Sequence, residues 1–204
     1  MAPTEIAPGL FRWTAPHPDW KPDATPGSGE DWGQMVGCVL FEASDALVLI
    51  DPLLPSEDRD QFLHWLDDRV AGRPVSVLTT IHWHARDREM LAEHYAANTT
   101  RAWNMVPRGV EPKPIRGGGE TMFWIPTVAA LVSGDRLLGD SEGGLRVCPE
   151  SWLSRVQVDR QGLAGLMAPL LELPIERVLV SHGEPVLSDG RAVLARAIRE
   201  AQQP

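Results

Sequence analysis

The sequence predicts a mixed α/β domain built in layers. Three observations carry that expectation. Apolar, β-rich runs stop at polar strand ends, amphipathic stretches follow at helical spacing, and the order β-rich then helical occurs twice along the chain. No internal repeat is visible in the residues themselves. At 204 residues the chain can bury one substantial core. It is therefore read as a single domain spanning 1–204.

Composition excludes several classes of function. The chain has 19 basic against 28 acidic residues, a net charge of -9, whereas nucleic acid or an anionic membrane surface demands a basic face. No apolar run approaches the ~20 residues that span a bilayer. The start, Met1-Ala2-Pro3-Thr4-Glu5, lacks the basic and apolar regions of a signal peptide. Cys38 and Cys148 form no C-x-x-C pair and make no disulfide framework. A cytoplasmic protein acting on a small molecule is the expectation, with the oligomeric state left open.

The elements follow in order. Ile6 to Thr14 reads as a first strand interrupted by Pro8-Gly9. Residues 15–33 form a Pro/Gly-rich loop carrying His17, Trp20 and Trp32, which reads either as a plain surface loop or as a lid over a substrate. Met35 to Glu42 and Ala46 to Ile50 make a hairpin that stops at Asp51-Pro52. Ser56, as N-cap, opens an amphipathic helix to Val70 with Phe62, Leu63, Leu66 and Val70 inward. Val75 to Ile81 is a strand, Glu89 to Ala97 a short helix, and Thr99 to Trp103 a candidate strand. His64 and His94 lie on the two helices with no ligand-like neighbours.

Pro107 to Gly119 is turn-rich. Thr121 to Ile125 and Val128 to Val132 pair around Pro126-Thr127 and end at Ser133-Gly134-Asp135. Arg136 to Trp152 is a looser segment. Asp159 to Leu173 is helical, Val178 to Ser181 is a buried strand ending at His182-Gly183-Glu184-Pro185, and Ser188 or Asp189 opens a last helix to Gln202.

Residues suited to metal sit at three of these strand ends. His82 and His84 follow the Val75 strand, and residues i and i+2 of an extended strand point the same way. Asp87 lies three positions on. Asp135 and His182 follow two later strands. Imidazoles and carboxylates in this mix suit Zn²⁺, with iron or manganese as alternatives. Ligands gather at strand ends of layered α/β proteins because the backbone there is rigid and the side chains are exposed.

These pieces together resemble the metallo-β-lactamase superfamily. The likeness runs from Ile6 to about Ala201 and rests on Pro8-Gly9-Leu10-Phe11-Arg12-Trp13, Leu49-Ile50-Asp51-Pro52, His82-Trp83-His84-Ala85-Arg86-Asp87, Ser133-Gly134-Asp135 and Ser181-His182-Gly183-Glu184-Pro185. The resemblance implies a four-layer αββα sandwich with a site on one edge between two sheets. It also implies one or two metal ions that activate water, with Asp51 structural and not a ligand.

The chain departs from that pattern in two places. The family motif is H-x-H-x-D-H, and here Arg86 stands where the Asp belongs and Asp87 where the next His belongs. The family's further His before the Gly-Asp strand is missing, since no histidine occurs between His94 and His182; Glu120 is the nearest candidate replacement. The candidate ligand set is His82, His84, Asp87, Asp135 and His182, with one zinc ion favoured over two. Asp87 and Arg86 are the candidate catalytic residues, as base and as partner of an oxyanion or anionic substrate. Arg86 has a second reading, in which it pairs with Asp87 and occludes the metal position. The functional expectation is a hydrolase of a small ester, thioester or lactone-like compound. The alternative is a catalytically degraded member that binds a small molecule or partner without hydrolysis.

Overall fold

The computed structural model describes residues 3–99 and 106–203. The first sheet runs β1 (Thr4–Ala7), β2 (Leu10–Pro16), β3 (Met35–Glu42), β4 (Leu47–Ile50) and β5 (Val75–Leu78), hydrogen-bonded in that order. The second contains β6 (Glu111–Ile115), β7 (Glu120–Ile125), β8 (Ala130–Ser133) and β11 (Arg177–Val180), in the order β11-β8-β7-β6. A small hairpin, β9 (Leu137–Gly139) with β10 (Leu145–Val147), stands beside it. Four helices cover the sheets: α1 (Arg59–Val70), α2 (Arg88–Tyr95), α3 (Arg160–Met167) and α4 (Gly190–Ala201).

Alternation along the strands produces three separate apolar layers. One face of the first sheet gives Trp13, Val36, Leu40, Leu49 and Val77 to a core closed by Phe62 and Leu66 of α1 and Leu91 of α2. Its other face gives Leu10, Val39, Phe41, Val48 and Ile50 to a core shared with Phe123, Ile125, Val132 and Leu179 of the second sheet. The second sheet's outer face meets Leu163 and Met167 of α3 and Leu194 and Ile198 of α4. Period-2 side-chain alternation thus builds helix, sheet, sheet and helix in sequence.

Several boundaries differ from those the residues suggest. The first strand is a hairpin turning at Pro8-Gly9. The first long helix begins at Arg59 with Asp58 as N-cap, so Ser56 lies outside it. Pro107 to Gly119 contains edge strand β6, which tolerates Pro112 and Pro114 because only one side of an edge needs donors. The segment from Arg136 to Trp152 contains β9 and β10. The expected helix to Leu173 ends at Met167 and continues as a 3₁₀ turn over Ala168–Glu172, where Pro169 cannot donate. The expected Thr99 to Trp103 strand lies largely outside the described residues.

Gly37 of β3 is where the two sheets touch. Its N–H donates to the Ser181 carbonyl at 2.7 Å, and Val36 bridges His182 in antiparallel fashion. A Cβ at Gly37 would run into the Val180 carbonyl oxygen. Gly37→Ala is accordingly expected to cost about 1–3 kcal/mol by forcing the sheets apart. Urea denaturation checks this, and a change below a few tenths would mean the seam is not tight.

Candidate metal centre

The first strand end does not behave as an extended strand. β5 leaves the ladder after Leu78 because Thr80 turns to Asp51: its N–H donates to Oδ1 at 2.8 Å and its hydroxyl to Oδ2. The chain then winds into a 3₁₀ turn over His82–Ala85. At 3.0 residues per turn, residues i and i+2 point roughly 120° apart. His82 and His84 therefore diverge, against the expectation from their spacing. His84 is buried, while His82 is exposed, stacks edge-on against Trp83, and borders a separate cavity with Leu78, Ile115 and Phe123.

Asp87 is also placed away from the other candidates. Its Oδ2 accepts from the Leu54 N–H at 2.7 Å and its Oδ1 lies 3.7 Å from Arg59. It sits at the N-cap position of α2 without a capping bond from its side chain. Its carboxylate thus closes the segment after β4. Glu120 is not at the cluster either: its four acceptor bonds go to the Ser133 hydroxyl and the N–H groups of Gly134, Asp135 and Arg136, at 2.8–3.0 Å. It fixes the turn that carries Asp135.

Three residues do converge. One donor atom from each of His84, Asp135 and His182 lies within 4.8 Å of the others. Asp135 Oδ1 is 3.0 Å from His84 Nε2 and 3.2 Å from His182 Nε2. Its Oδ2 accepts from Trp83 Nε1 at 2.6 Å. His84 Nδ1 lies 2.9 Å from Asp51 Oδ2. This pairing sets the tautomer with the proton on Nδ1 and leaves Nε2 facing the cluster, the arrangement that orients metal-binding imidazoles.

The donor set fits a metal ion. Ligand atoms ~2.0–2.1 Å from a tetrahedral zinc lie roughly 3.3 Å apart, close to the two separations here. Asp135 Oδ1, although buried and near two imidazoles, accepts no hydrogen bond of adequate geometry from either. His82 and Asp87 add nothing to this set.

Burial opposes protonation of His84, yet Asp135 and Asp51 on either side raise its pKa to about 9. His182 moves the other way, because burial outweighs the help of Asp135. Burial also opposes ionisation of Asp135, but His84 and His182 hold its carboxyl well below the usual range. For Glu120, burial and the charge of Asp135 push the pKa up, against the backbone N–H groups it accepts from.

The cluster lies at the base of a cavity of about 450 Å³. Trp32, Trp83 and Trp152 form its walls, with Arg86 and Arg155 as the cations and His17 on the rim. Trp32 and Trp152 both stack edge-on against His182, at 5.5 and 5.4 Å between centroids. The Pro/Gly-rich loop makes one wall: Trp20 Nε1 donates to the Trp32 carbonyl at 2.8 Å, and Trp152 Nε1 reaches the Ser28 carbonyl at 3.3 Å. Trp32 borders the cavity and Trp20 does not. Trp83 and Asp51, which orient Asp135 and His84, were not singled out as functional from the sequence. The position of Trp83 between the two histidines was the available signal for it.

Solved structures place this architecture in a known class. DIM-1 metallo-beta-lactamase superimposes with a TM-score of 0.66 at 13% identity, covering 98% of this chain and 96% of that one. FIM-1 from Pseudomonas aeruginosa, in its mono-zinc form, gives 0.60 at 13% identity over 100% and 96% of the two chains. A metallo beta lactamase from Hirschia baltica gives 0.57 at 14%, over 100% and 98%. No protein-family model matches the sequence, and no curated protein matches it. The chain is a member of the metallo-β-lactamase fold. Among the described residues no helix is long and apolar enough to cross a membrane.

Proposed function

We propose that this chain is a metal-dependent hydrolase of a small ester, thioester or lactone-like substrate, with one metal ion held by His84, Asp135 and His182. The observation that carries the reading is the convergence of three donors, two buried and one partly buried, on the lining of a cavity in a fold whose solved examples include a mono-zinc form. Zinc suits two imidazoles and one carboxylate, with iron and manganese as alternatives. When bound, the ion supplies a water of pKa near ~7 and polarises a carbonyl. Three protein ligands leave a position open for that water.

The chain's own residues divide the remaining tasks. Trp83 holds Asp135 through Oδ2, so Oδ1 is kept toward the two imidazoles. Asp51 fixes His84. The tryptophan walls offer flat apolar faces to a small substrate, and a volume of about 450 Å³ lies within the range of small-molecule sites. Asp87 is held by Leu54 and Arg59 away from the cluster, so the base role expected of it is not filled there. A cytoplasmic setting remains part of the proposal, consistent with two buried free cysteines.

One observation favours the second reading, a metal-free binder. A protonated His84 between Asp51 and Asp135 neutralises part of the cluster without any ion. The two readings separate by pH. With His84 protonated up to about pH 9 in the metal-free chain, an ion must displace that proton. Metal affinity is then expected to rise about tenfold per pH unit between 6 and 8, with metal-dependent ester or thioester hydrolysis rising alongside and lost on chelation. Competition titration and a substrate panel check this. Absence of metal uptake at any pH would leave the binder.

A further inference from the structure

Arg86 lines the same cavity as the three donors, yet it behaves unlike a rim arginine. Its Nη1 donates to the Asp51 carbonyl at 2.7 Å and the Gly37 carbonyl at 3.0 Å, and its Nη2 to the Ser181 hydroxyl at 2.6 Å. These three oxygens come from the end of β4, from β3 and from the end of β11. Together they form an oxygen-lined recess next to the cavity that Arg86 shares with His84, Asp135 and His182. The guanidinium fills it. Among the described residues no carboxylate lies within ion-pair distance of Arg86, including Asp87, so the expected pairing between the two is not made. The charge is therefore left unneutralised, and it acts on His17, His84 and His182.

The backbone is built to place it. Arg86 has φ 41° and ψ -124°, a conformation rare for a residue with a side chain, at the junction between the His82–Ala85 turn and α2. Such a conformation persists where surrounding contacts over-determine it. Three hydrogen bonds to both sheets supply that.

We infer that the Arg86 guanidinium is the built-in second cation of the centre and limits it to a single metal ion. This rests on the proposed metal site. A second ion beside the first would need oxygen donors from the same recess, and these are occupied. It would also meet the fixed positive charge of Arg86 on the lining of the same cavity, and like charges repel. The first ion feels the same repulsion, more weakly opposed by Asp135.

Metal stoichiometry tests this without reference to activity. The full chain, stripped by chelation, is titrated with Zn²⁺ and Co²⁺, bound metal is counted after gel filtration, and circular dichroism confirms folding of each variant. The wild type is expected to saturate at one equivalent in excess metal. Arg86→Met, which keeps the aliphatic stem and removes the charge, is expected to bind the first ion at least about tenfold more tightly. Arg86→Lys keeps the charge but not the three-way hydrogen bonding that fixes it, so its affinity is expected to fall between those of the wild type and Arg86→Met. Arg86→Asp, if folded, is expected to take a second equivalent. Two equivalents in the wild type, or unchanged affinity in Arg86→Met, would overturn the role of Arg86 while leaving the metal site standing. No metal in the wild type at any excess would instead remove the metal site itself.

Discussion

Protein purified without added metal is expected to carry close to one equivalent of zinc, iron or manganese, and His84→Ala to carry less than about a tenth. His82→Ala should match the wild type. The contrast is the sharpest consequence of the structure, because the two histidines are alike in sequence and opposite in placement. His84 is buried with Nε2 3.0 Å from Asp135 and Nδ1 fixed by Asp51, while His82 stands in a different cavity. Losing one of three ligands removes a bond that nothing nearby replaces, since Asp87 is engaged with Leu54 and Glu120 with the Ser133–Arg136 turn. Asp51→Asn should act indirectly, lowering metal affinity about 10–100-fold by weakening control of the His84 ring. Elemental analysis of the four proteins decides the matter. Equal losses in His82→Ala and His84→Ala would restore the paired-histidine arrangement and sink this geometry.

How far the site was legible depends on where each residue lies relative to its strand. Asp135 and His182 each lie two residues past the end of a buried strand, β8 and β11, and both come to the cluster, Asp135 with its turn fixed by Glu120. His82 and His84 follow a run that looks like strand through Ile81, but the ladder stops at Leu78. The cause is a tertiary contact: Asp51, at the end of β4, captures Thr80 and pulls the chain into a 3₁₀ turn. No local pattern reveals that. The layered fold was easier to read, since amphipathic α1 and α4 and the apolar runs of β3, β4, β5 and β11 state their buried faces in their own residues. Strands β6, β9 and β10 escaped because two prolines interrupt β6 and because β9 and β10, at three residues each, are too short to show alternation. Arg86 stood out in the sequence as a cation where an acidic residue was expected, and occlusion of a metal position was already one of its two readings, although the pairing with Asp87 is not made.

Glu120→Ala is expected to destabilise the fold by roughly 3–5 kcal/mol and to abolish metal retention together with it. The carboxylate is buried and accepts from one hydroxyl and three consecutive backbone N–H groups. Each buried donor left without a partner costs about 1–3 kcal/mol, and water can reach few of them beside Gly134. Space there is tight, for a Cβ at Gly134 would collide with the Thr80 hydroxyl. Removing Glu120 therefore frees the Ser133–Arg136 turn, and with it the aim of Asp135. Glu120→Gln separates charge from shape. Its amide nitrogen, a donor, faces the Asp135 and Arg136 N–H groups in one orientation and the Gly134 N–H in the other, where the Ser133 hydroxyl can turn to accept, so it should destabilise as well, by less than alanine. Because the burial of Glu120 favours the neutral form, the opposite result is informative. A glutamine variant as stable as wild type would show that the four donors do not need a carboxylate. Urea denaturation gives the stability of both variants, and a fall in melting temperature of roughly 10 °C or more accompanies a loss of this size in a chain this long.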